Sequence, residues 1–376
     1  MKKKTIKIAS IGLLVIISIY FIAVYSSIPF IEKWRTLYIE TAMNTMNHQW
    51  LATAFIPSSI INEVMERNQR LQEMSIVEEN KIEIIKDIST KAVELLGNKD
   101  EFRAKYKEIN IETLPEDIDY ENLVLLKEDC AGIKTMQGDE VYTIDTVNGI
   151  VIINICENGF RGKLCIIKDP SRVSLATTSQ ADRGQLVKDI AAENNAILAI
   201  NAGGYNDPGE EVYDGTPLGL VISKGQQLSE QLGIKGLTCV GLDQDNNLRI
   251  GRKLDTTQLR DAVEFKPALI ADGKPLVSGS AGWGIQARAI IAQTSSKEII
   301  FLAIDGLRPG HSIGATLGDC IDILLRYGAT QALNLDGGTS TALVYGEKTI
   351  NKPNPNSGNT DGREVPNAWI VERKGG

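Results

Sequence analysis

The longest apolar stretch of the chain lies at its N-terminus. Residues 8–28 contain no charged side chain, and four lysines fall within the seven residues before them. About 20 apolar residues suffice for a helix to cross a bilayer, so this pattern predicts a transmembrane anchor at residues 8–30. A cleaved signal peptide is the alternative, because Ala23, Ser26 and Ser27 supply the small residues of a cleavage site.

The charges around this segment predict its orientation. Only Glu32, Lys33 and Arg35 follow it closely, so the positive-inside rule places a tail at residues 1–7 in the cytoplasm. The rest is then extracytoplasmic, held at the cell membrane by a single pass. Residues 1–35 carry a net +5 of the overall −8, so the remainder is acidic. Nucleic acid is therefore not expected as a partner, since proteins that bind it usually present a basic face.

A helical pattern follows the anchor. Residues 34–107 are rich in Glu, Lys and Ile, and Pro57-Ser58-Ser59 has the composition of a helix start. The apolar residues that follow it repeat at the spacing of one helical face. These features predict a helical stalk at residues 31–110. Pro115 lies in an acidic stretch, which indicates a linker at residues 111–122.

Beyond the linker the pattern changes to short β-type runs separated by Gly, Asn and Asp. Residues 182–194 and 317–327 have helical patterns, and Gly328 is placed to cap the second. The predicted strands are residues 149–156, 163–168, 196–200, 219–222, 237–242, 248–250, 299–304, 331–335 and 342–345. Since strands and helices do not alternate strictly, we expect one α/β or α+β domain at residues 123–376, with a large mixed sheet and flanking helices.

The five cysteines indicate no metal site, since no Cys-x-x-Cys pair occurs. Cys156 and Cys165 flank a turn-like segment between two predicted strands. They could face each other across a hairpin and oxidise outside the cell, or be two small apolar strand residues.

Three apolar runs end in the same way. One stops at Asn201-Ala202-Gly203-Gly204, the second at Asp305-Gly306 and the third at Asp336-Gly337-Gly338. Ligands usually bind at the carboxyl ends of strands in sheets with helical cover, and glycine lets a substrate approach the backbone. A single Asp-Gly is a common hairpin turn, but three strands with this ending predict a binding site.

Hydroxyl groups and a guanidinium group lie close to these acids in sequence. Thr339, Ser340 and Thr341 follow the double glycine, while Arg308 and Ser312 follow Asp305. Arginine can bind two oxygens of a phosphate at once. Paired carboxyl groups near such donors suit glycosyl transfer, where one moves a proton and the other stabilises or attacks the sugar carbon.

These motifs resemble the phosphodiester glycosidase domain family. The resemblance is carried by Asp305-Gly306-Leu307-Arg308, Ser312-x-Gly314-Ala315-Thr316-Leu317, and Asn334-Leu335-Asp336-Gly337-Gly338-Thr339-Ser340-Thr341. Asn201-Ala202-Gly203-Gly204-Tyr205, Pro217-x-Gly219, Arg288 and Arg363-x-Val365-Pro366-Asn367-Ala368 extend it over roughly residues 120 to 373. The chain departs from the family pattern at Ala202, at the single Tyr205 and at residues 289–292.

The resemblance implies hydrolysis of a sugar-1-phosphodiester on the sugar side. Asp305 and Asp336 would be the catalytic residues, and three arginines would hold the phosphate. The implied substrate-binding residues are Asn201, Gly203, Gly204, Arg288, Arg308, Ser312, Asn334, Gly337, Gly338, Thr339, Ser340, Thr341, Arg363 and Asn367. We expect no cofactor and no metal, because the two acids come from separate strands and no calcium-loop motif is present.

Three functions are compatible with this sequence. The first is a membrane-anchored extracytoplasmic hydrolase acting on a phosphate-linked sugar or polysaccharide of the cell envelope, since bacterial relatives are often described as exopolysaccharide-related. The second is a non-catalytic protein that binds or assembles an envelope polysaccharide in the same cleft. In the third, the stalk recruits a partner and the domain is secondary. The complete set of acids, arginines and hydroxyls favours the hydrolase.

Overall fold

The computed structural model describes residues 2–45, 48–79, 98–115, 118–180, 183–206, 216–229, 236–354 and 359–375. The chain forms two compact units. The helical unit comprises residues 1–71 together with 280–285, and the sheet unit comprises residues 72–279 and 286–376. The short stretch 280–285 therefore belongs to a different unit from the residues on either side of it.

The helices of the described residues are α1 (Lys2–Tyr25), α2 (Pro29–Met43), α3 (Trp50–Thr53), α4 (Ser58–Glu79), α5 (Asn98–Lys105), α6 (Val187–Glu193) and α7 (Leu317–Arg326). The start of α4 directly after Pro57 confirms the predicted helix start. In the helical unit, α2, α3 and α4 bury a small apolar core that includes Ile39, Ala52 and Val64. The middle of the predicted stalk, residues 80–97, lies outside the described residues.

The predicted transmembrane anchor at residues 8–30 is not established by the helices. No single helix within the described ranges has both the length and the apolar composition to span a bilayer. The part of α1 from Ser10 and the following α2 pass this test together, as a pair bent by 82°.

The stretch 280–285 packs against the helices of its own unit. Thr41 Oγ1 accepts a hydrogen bond from Ile285 N at 3.0 Å, and Asn44 Nδ2 donates to Gly282 O at 2.9 Å. Gly284 lies at φ +61°, and a Cβ atom there would be 2.7 Å from Thr41 N. Glycine is therefore required at this position both by its backbone angle and by the close approach.

The strands of the described residues are β1 (Val124–Leu125), β2 (Val141–Asp145), β3 (Ile150–Glu157), β4 (Phe160–Ile167), β5 (Val173–Thr177), β6 (Ala196–Asn201), β7 (Val221–Ser223), β8 (Gln226–Ser229), β9 (Thr238–Asp243), β10 (Leu248–Gly251), β11 (Leu259–Phe265), β12 (Ala268–Ala271), β13 (Lys274–Pro275), β14 (Arg288–Thr294), β15 (Ile299–Ile304), β16 (Ala329–Asn334), β17 (Leu343–Tyr345), β18 (Lys348–Thr349) and β19 (Asn367–Glu372). Each strand predicted from the sequence corresponds to one of these, with ends shifted by up to three residues.

These strands form three sheets in the described part of the chain. The largest has nine strands in the order β1-β2-β3-β4-β15-β14-β16-β12-β13. The other two have five strands each, in the orders β10-β9-β11-β7-β8 and β18-β17-β6-β19-β5. A large sheet is thus confirmed, but the expectation that it would be mixed is wrong. Every pairing between neighbouring described strands is antiparallel.

The three sheets share one apolar core. Phe301 of the largest sheet, Val240 of the second and Trp369 of the third are all fully buried in it. The predicted helix at residues 317–327 is confirmed as α7, whose start carries a capping box between Thr316 and Asp319. The predicted helix at 182–194 is shorter and forms α6.

The suggested pairing of Cys156 with Cys165 is wrong. In the β3–β4 hairpin, Cys156 lies opposite Arg161 and Cys165 lies opposite Ile152. Both cysteines are free. The turn between the strands is tighter than the sequence suggested, since Glu157 already pairs with Phe160, and this moves the two thiols out of register.

Candidate active site

Two of the three predicted strand endings flank the start of β14. Arg288 lies opposite Ile304 of β15, and on the other side Leu335 N donates to Ala289 O at 2.8 Å. Because β15 and β16 are both antiparallel to β14, they run in the same direction and end at the same sheet edge. Asp305 and Asp336, which follow these strands, therefore leave the sheet on either side of the first residues of β14.

Glycines let these chain segments approach each other. Gly338 N donates to Ala287 O at 3.1 Å, and a Cβ atom on Gly337 would be 2.8 Å from the same oxygen. Gly338 has a φ of +59°, in the left-handed region that favours glycine. The double glycine predicted to admit a substrate thus also serves the packing of the backbone against Ala287.

Asp305 holds a histidine that the sequence analysis did not assign to the site. His311 Nε2 lies 2.7 Å from Asp305 Oδ2, and Lys352 N donates to Asp305 Oδ1 at 2.8 Å. A carboxylate only accepts hydrogen bonds, so Nε2 carries a proton, and in the neutral tautomer Nδ1 presents a lone pair. Lys352 Nζ lies 3.5 Å from that Nδ1. Nδ1 is therefore the ring atom left to accept a hydrogen bond, from Lys352 or from a water molecule that takes its place.

A tight turn brings His311 back to Asp305. Arg308 N donates to Ser312 O at 2.8 Å and Ser312 N donates to Arg308 O at 3.1 Å, with Gly310 at a φ of +72° between them. Ser312 Oγ donates to Asp305 O at 2.7 Å and accepts from Arg161 N at 3.3 Å. Ser312, predicted to bind substrate, is therefore engaged in holding the Asp305 backbone.

A buried lysine lies close to Asp305 as well. Lys163 belongs to β4, where it is opposite Ala303, and its Nζ donates to Asn154 Oδ1 at 2.8 Å. Burial lowers the pKa of Lys163, and the nearby negative charge of Asp305 opposes that change. The amine of Lys163 thus lies within electrostatic range of the acid.

The end of β6 is fastened to the segment that contains Asp336. Asn201 Nδ2 donates to Asp336 O at 2.6 Å, Asn201 Oδ1 accepts from Ala342 N at 3.1 Å, and Asp336 N donates to Ala202 O at 3.0 Å. Asn201 is fully buried. The predicted convergence of the strands that end at Asn201 and Asp336 is therefore seen in direct contacts.

Further predicted residues surround this junction. Gly203 N donates to Asn367 Oδ1 at 2.8 Å, and Asn367 is fully buried on β19. Ser340 Oγ lies 3.3 Å from Tyr205 OH, over whose ring the guanidinium of Arg363 is placed at 5.3 Å from the centroid. Asn201, Gly203, Ser340, Arg363 and Asn367 are thus neighbours. A Cβ atom on Gly204 would instead be 2.8 Å from the Phe265 ring, so that glycine serves packing.

The three arginines predicted to hold phosphate contact different partners. Arg288 is almost fully buried and its Nε donates to Ala315 O at 3.2 Å. Burial lowers the pKa of Arg288 to about 10, which leaves it charged at neutral pH. Arg308 Nη2 donates to Pro353 O at 2.8 Å. A common phosphate cradle of Arg288, Arg308 and Arg363 stays a prediction.

Asn351 and Lys352 connect the two aspartate segments. Asn351 Nδ2 donates to Thr341 O at 3.2 Å and its Oδ1 accepts from Leu343 N at 2.8 Å. The next residue supplies the N–H group that binds Asp305 Oδ1. The chain that follows the Asp336 segment therefore comes back to the Asp305 carboxylate and donates a hydrogen bond to it.

Several predicted site residues have buried polar atoms without a hydrogen-bond partner among the described residues. These atoms are Arg308 Nε, Asn334 Oδ1, Thr341 Oγ1 and Asn367 Nδ2. Buried polar groups in folded proteins are almost always paired with protein or water. These donors and acceptors are therefore suited to contact a polar ligand. Thr339 is only partly buried and lies in the short 3₁₀ turn Gly338–Ser340.

The site has no clear metal-binding arrangement in the described ranges. No group of three or more His, Cys, Asp or Glu side chains there is placed to hold an ion. Around Asp305 the neighbours are a histidine, a backbone N–H and two lysines.

The comparisons with known proteins agree with the sequence motifs. Residues 194–372 match the family model described as phosphodiester glycosidase. The resemblance indicated by the motifs is thereby confirmed for these residues. No curated protein matches the chain in a sequence search.

The fold is similar to solved structures at low sequence identity. The catalytic domain of zebrafish N-acetylglucosamine-1-phosphodiester alpha-N-acetylglucosaminidase, auto-inhibited by its pro-peptide, is 19% identical with a TM-score of 0.50. That match covers 60% of this chain and 82% of the zebrafish one. A hypothetical protein from Synechocystis is 20% identical, with a TM-score of 0.44 and coverage of 64% and 65%. At these identities the likeness concerns the fold alone.

Proposed function

We propose that the protein hydrolyses a sugar-1-phosphodiester at the sugar side, from the premise that its residues 194–372 match the family model described as phosphodiester glycosidase. The observation that carries the proposal is the Asp305–His311 pair, 2.7 Å apart, at the end of the sheet where β15 and β16 both terminate. The unpartnered polar atoms of Arg308, Thr341 and Asn367 support it, because they leave donors and an acceptor available for substrate.

The proposed reaction breaks the bond between the anomeric carbon and the bridging oxygen. Water supplies the new oxygen on the sugar, and the bond electrons leave with the bridging oxygen as a phosphate monoester. The second pKa of such a monoester is about 6, so the leaving group departs without strong help from an acid. Activation of water and stabilisation of charge are then the main tasks of the protein.

His311 is suited to the first task. Its Nδ1 accepts a proton from the attacking water, while Asp305 accepts the Nε2–H bond and stabilises the imidazolium that forms. Asp305 binds His311 Nε2 and Lys352 N, and we therefore assign it a positioning role that acts through the histidine. Lys352 Nζ, close to Nδ1, favours return of the proton to the departing phosphate.

Asp336 supplies the second carboxyl group of the proposed site. Its backbone is held by Asn201 and Ala202, so its position is fixed by the end of β6. In glycosyl transfer such a group stabilises or attacks the positively charged sugar carbon. Arg308 and Arg363 are the arginines we assign to the phosphate, while the buried Arg288 adds a positive charge beneath the strand endings.

The location of the enzyme is part of the proposal. We place residues 1–7 in the cytoplasm and the sheet unit outside, with residues 8–30 as the anchor and a phosphate-linked sugar of the cell envelope as substrate. The exposed apolar side chains along α1, such as Leu14 and Ile16, support this placement because they are poorly suited to water.

The test uses the full-length protein in detergent and a panel of synthetic sugar-1-phosphodiesters in water enriched in oxygen-18. We expect release of free sugar and a phosphate monoester, with the label in the sugar and none in the phosphate. Label in the phosphate would identify a phosphodiesterase that breaks the P–O bond and would refute the proposal.

The variant that tests the site is Asp336→Asn, which keeps the size of the side chain and the backbone hydrogen bonds of this residue. Loss of hydrolysis in this variant with unchanged thermal unfolding supports the assignment. No hydrolysis by the wild type, combined with calorimetric binding of an envelope polysaccharide, would instead favour a non-catalytic binding protein.

A further inference from the structure

The helical unit exposes a group of aromatic side chains. Phe30, Trp34 and Tyr38 follow one another at four-residue spacing on α2 and therefore share one helix face. They are 70%, 49% and 43% exposed, whereas Ile39 on the opposite side is fully buried in the core with α3 and α4. The aromatic face of α2 is thus turned away from its own unit.

Two further aromatic residues join this face. Trp50 begins α3 and Phe55 follows it, and both are more than half exposed. Tyr38 OH donates to Leu51 O at 2.7 Å, which holds α3 next to the aromatic face of α2. We call Phe30, Trp34, Tyr38, Trp50 and Phe55 the aromatic collar.

A contact with α1 sets the collar at a defined level along that helix. Tyr20 OH donates to Phe55 O at 2.9 Å. Tyr20 is five residues before the end of α1, which corresponds to about 7 Å along a helix. Phe55 therefore lies beside the last turns of α1, whose described side chains from Ile11 to Ile22 are mostly apolar and exposed.

The bend between α1 and α2 is held by specific hydrogen bonds. Arg35 Nη1 donates to Val24 O at 3.0 Å and to Ser26 O at 2.8 Å, carbonyl groups at the end of α1 that have no partner within the helix. The two helices meet at 82°. If α1 stands across a bilayer, α2 therefore lies nearly parallel to its surface.

We infer that the aromatic collar lies in the interfacial layer of the outer leaflet, between lipid headgroups and acyl chains. This rests on the proposed anchoring through α1. Tryptophan and tyrosine are enriched at this depth of membranes, because each has an apolar ring and a polar group. Continuity with the apolar surface of α1 favours lipid over a protein partner, since the collar begins where that surface ends. The anchored chain would thus contact the bilayer through α2 and α3 as well.

The test is the quenching of tryptophan emission by brominated lipids in vesicles that contain the full-length protein. The chain has four tryptophans, and two of them, Trp34 and Trp50, belong to the collar. We compare the wild type with the double variant Trp34→Phe and Trp50→Phe, which keeps aromatic rings at exposed positions. The fully buried Trp369 reports as an internal control.

We expect bromine placed near the carboxyl end of the acyl chain to quench the wild type at least twofold more than bromine near the methyl end. The double variant should lose most of this quenching while still floating with the vesicles. Equal quenching of both proteins, or no quenching of a wild type that floats, would overturn the inference and leave the anchor intact. Failure to float would refute the anchor and the inference together. A second copy covering the collar would appear as emission that is insensitive to bromine.

Discussion

Replacement of Asp305 by asparagine tests whether this carboxylate acts through His311. In the structure Asp305 Oδ1 accepts from Lys352 N and Oδ2 binds His311 Nε2. The amide oxygen of asparagine can keep the first contact, which turns its NH₂ group towards the histidine. Because an NH₂ group donates, Nε2 would become the acceptor and the proton would move to Nδ1. The lone pair proposed to activate water would be lost.

The expected loss follows from this change of tautomer. A positioned acid–base group typically contributes 10²- to 10⁴-fold to the rate. At about 1.36 kcal/mol for each tenfold change, this corresponds to roughly 3–5 kcal/mol. Both side chains are largely shielded from solvent, with 6% of Asp305 and 17% of His311 exposed, so water cannot readily replace the lost contact. We therefore expect Asp305→Asn to lose kcat nearly as severely as His311→Ala, with KM little changed.

A double-mutant cycle is the appropriate assay, with initial rates of sugar release measured for both single variants and the double variant. If Asp305 acts only through His311, the double variant is no slower than His311→Ala, because the effects of coupled residues are not additive. His48→Ala is the matched control, since the chain has only two histidines. Independent, multiplicative losses would show that Asp305 acts on the substrate directly and would refute the assignment of the base.

Three further predictions concern stability and binding. Gly284→Ala should lower the free energy of unfolding by about 1–3 kcal/mol, because its Cβ would meet Thr41 N at 2.7 Å. Gly279→Ala is the control, since Gly279 also has a positive φ but open space around it, and this variant should lose less stability in the same thermal melt. Arg308→Ala should mainly raise KM in steady-state kinetics, with kcat retained, if phosphate is bound equally in ground and transition states. Burial raises the pKa of Glu108 in the folded protein, so this carboxyl group ionises at a lower pH in the unfolded chain. The free energy of unfolding should therefore fall as the pH rises from the ordinary carboxyl range through the raised pKa of the folded state. Glu108→Gln should flatten that part of a plot of urea midpoint against pH.

The strands were predictable because their signal is local. Residues 299–304 are an unbroken apolar run, and all six are buried in β15. Strand direction is not local, and this is why the expected mixed sheet is wrong. β15 pairs with β14 on one side and with β4 on the other, and the pairs with β4 join residues up to about 140 positions apart, which no short window of sequence contains.

The site shows the same division between local and distant signals. Asp305, Asp336 and Asn201 were predicted because each polar residue directly follows an apolar run. His311 was missed as a site residue although it lies six positions after Asp305, because the turn that returns it depends on the Arg308–Ser312 pairing. Its rarity was the available signal, since the chain has only two histidines. Lys352 and Asn351 gave no such signal, as only the folded chain brings them to Asp305 and Thr341.

The hydrogen bonds divide the polar site residues into two groups with different tasks. Asn201 uses both amide atoms on backbone groups, and Ser312 uses its hydroxyl on the Asp305 backbone, so these side chains hold the strand endings in place. Arg308, Thr341 and Asn367 keep buried polar atoms without a described partner, and they lie on the segments that the first group holds. A substrate that satisfied those atoms would gain hydrogen bonds without rearranging the frame, because the frame is already closed by its own contacts. Such preorganisation is what charge stabilisation at a departing phosphate requires, since donors fixed in advance need no reorganisation when the charge develops.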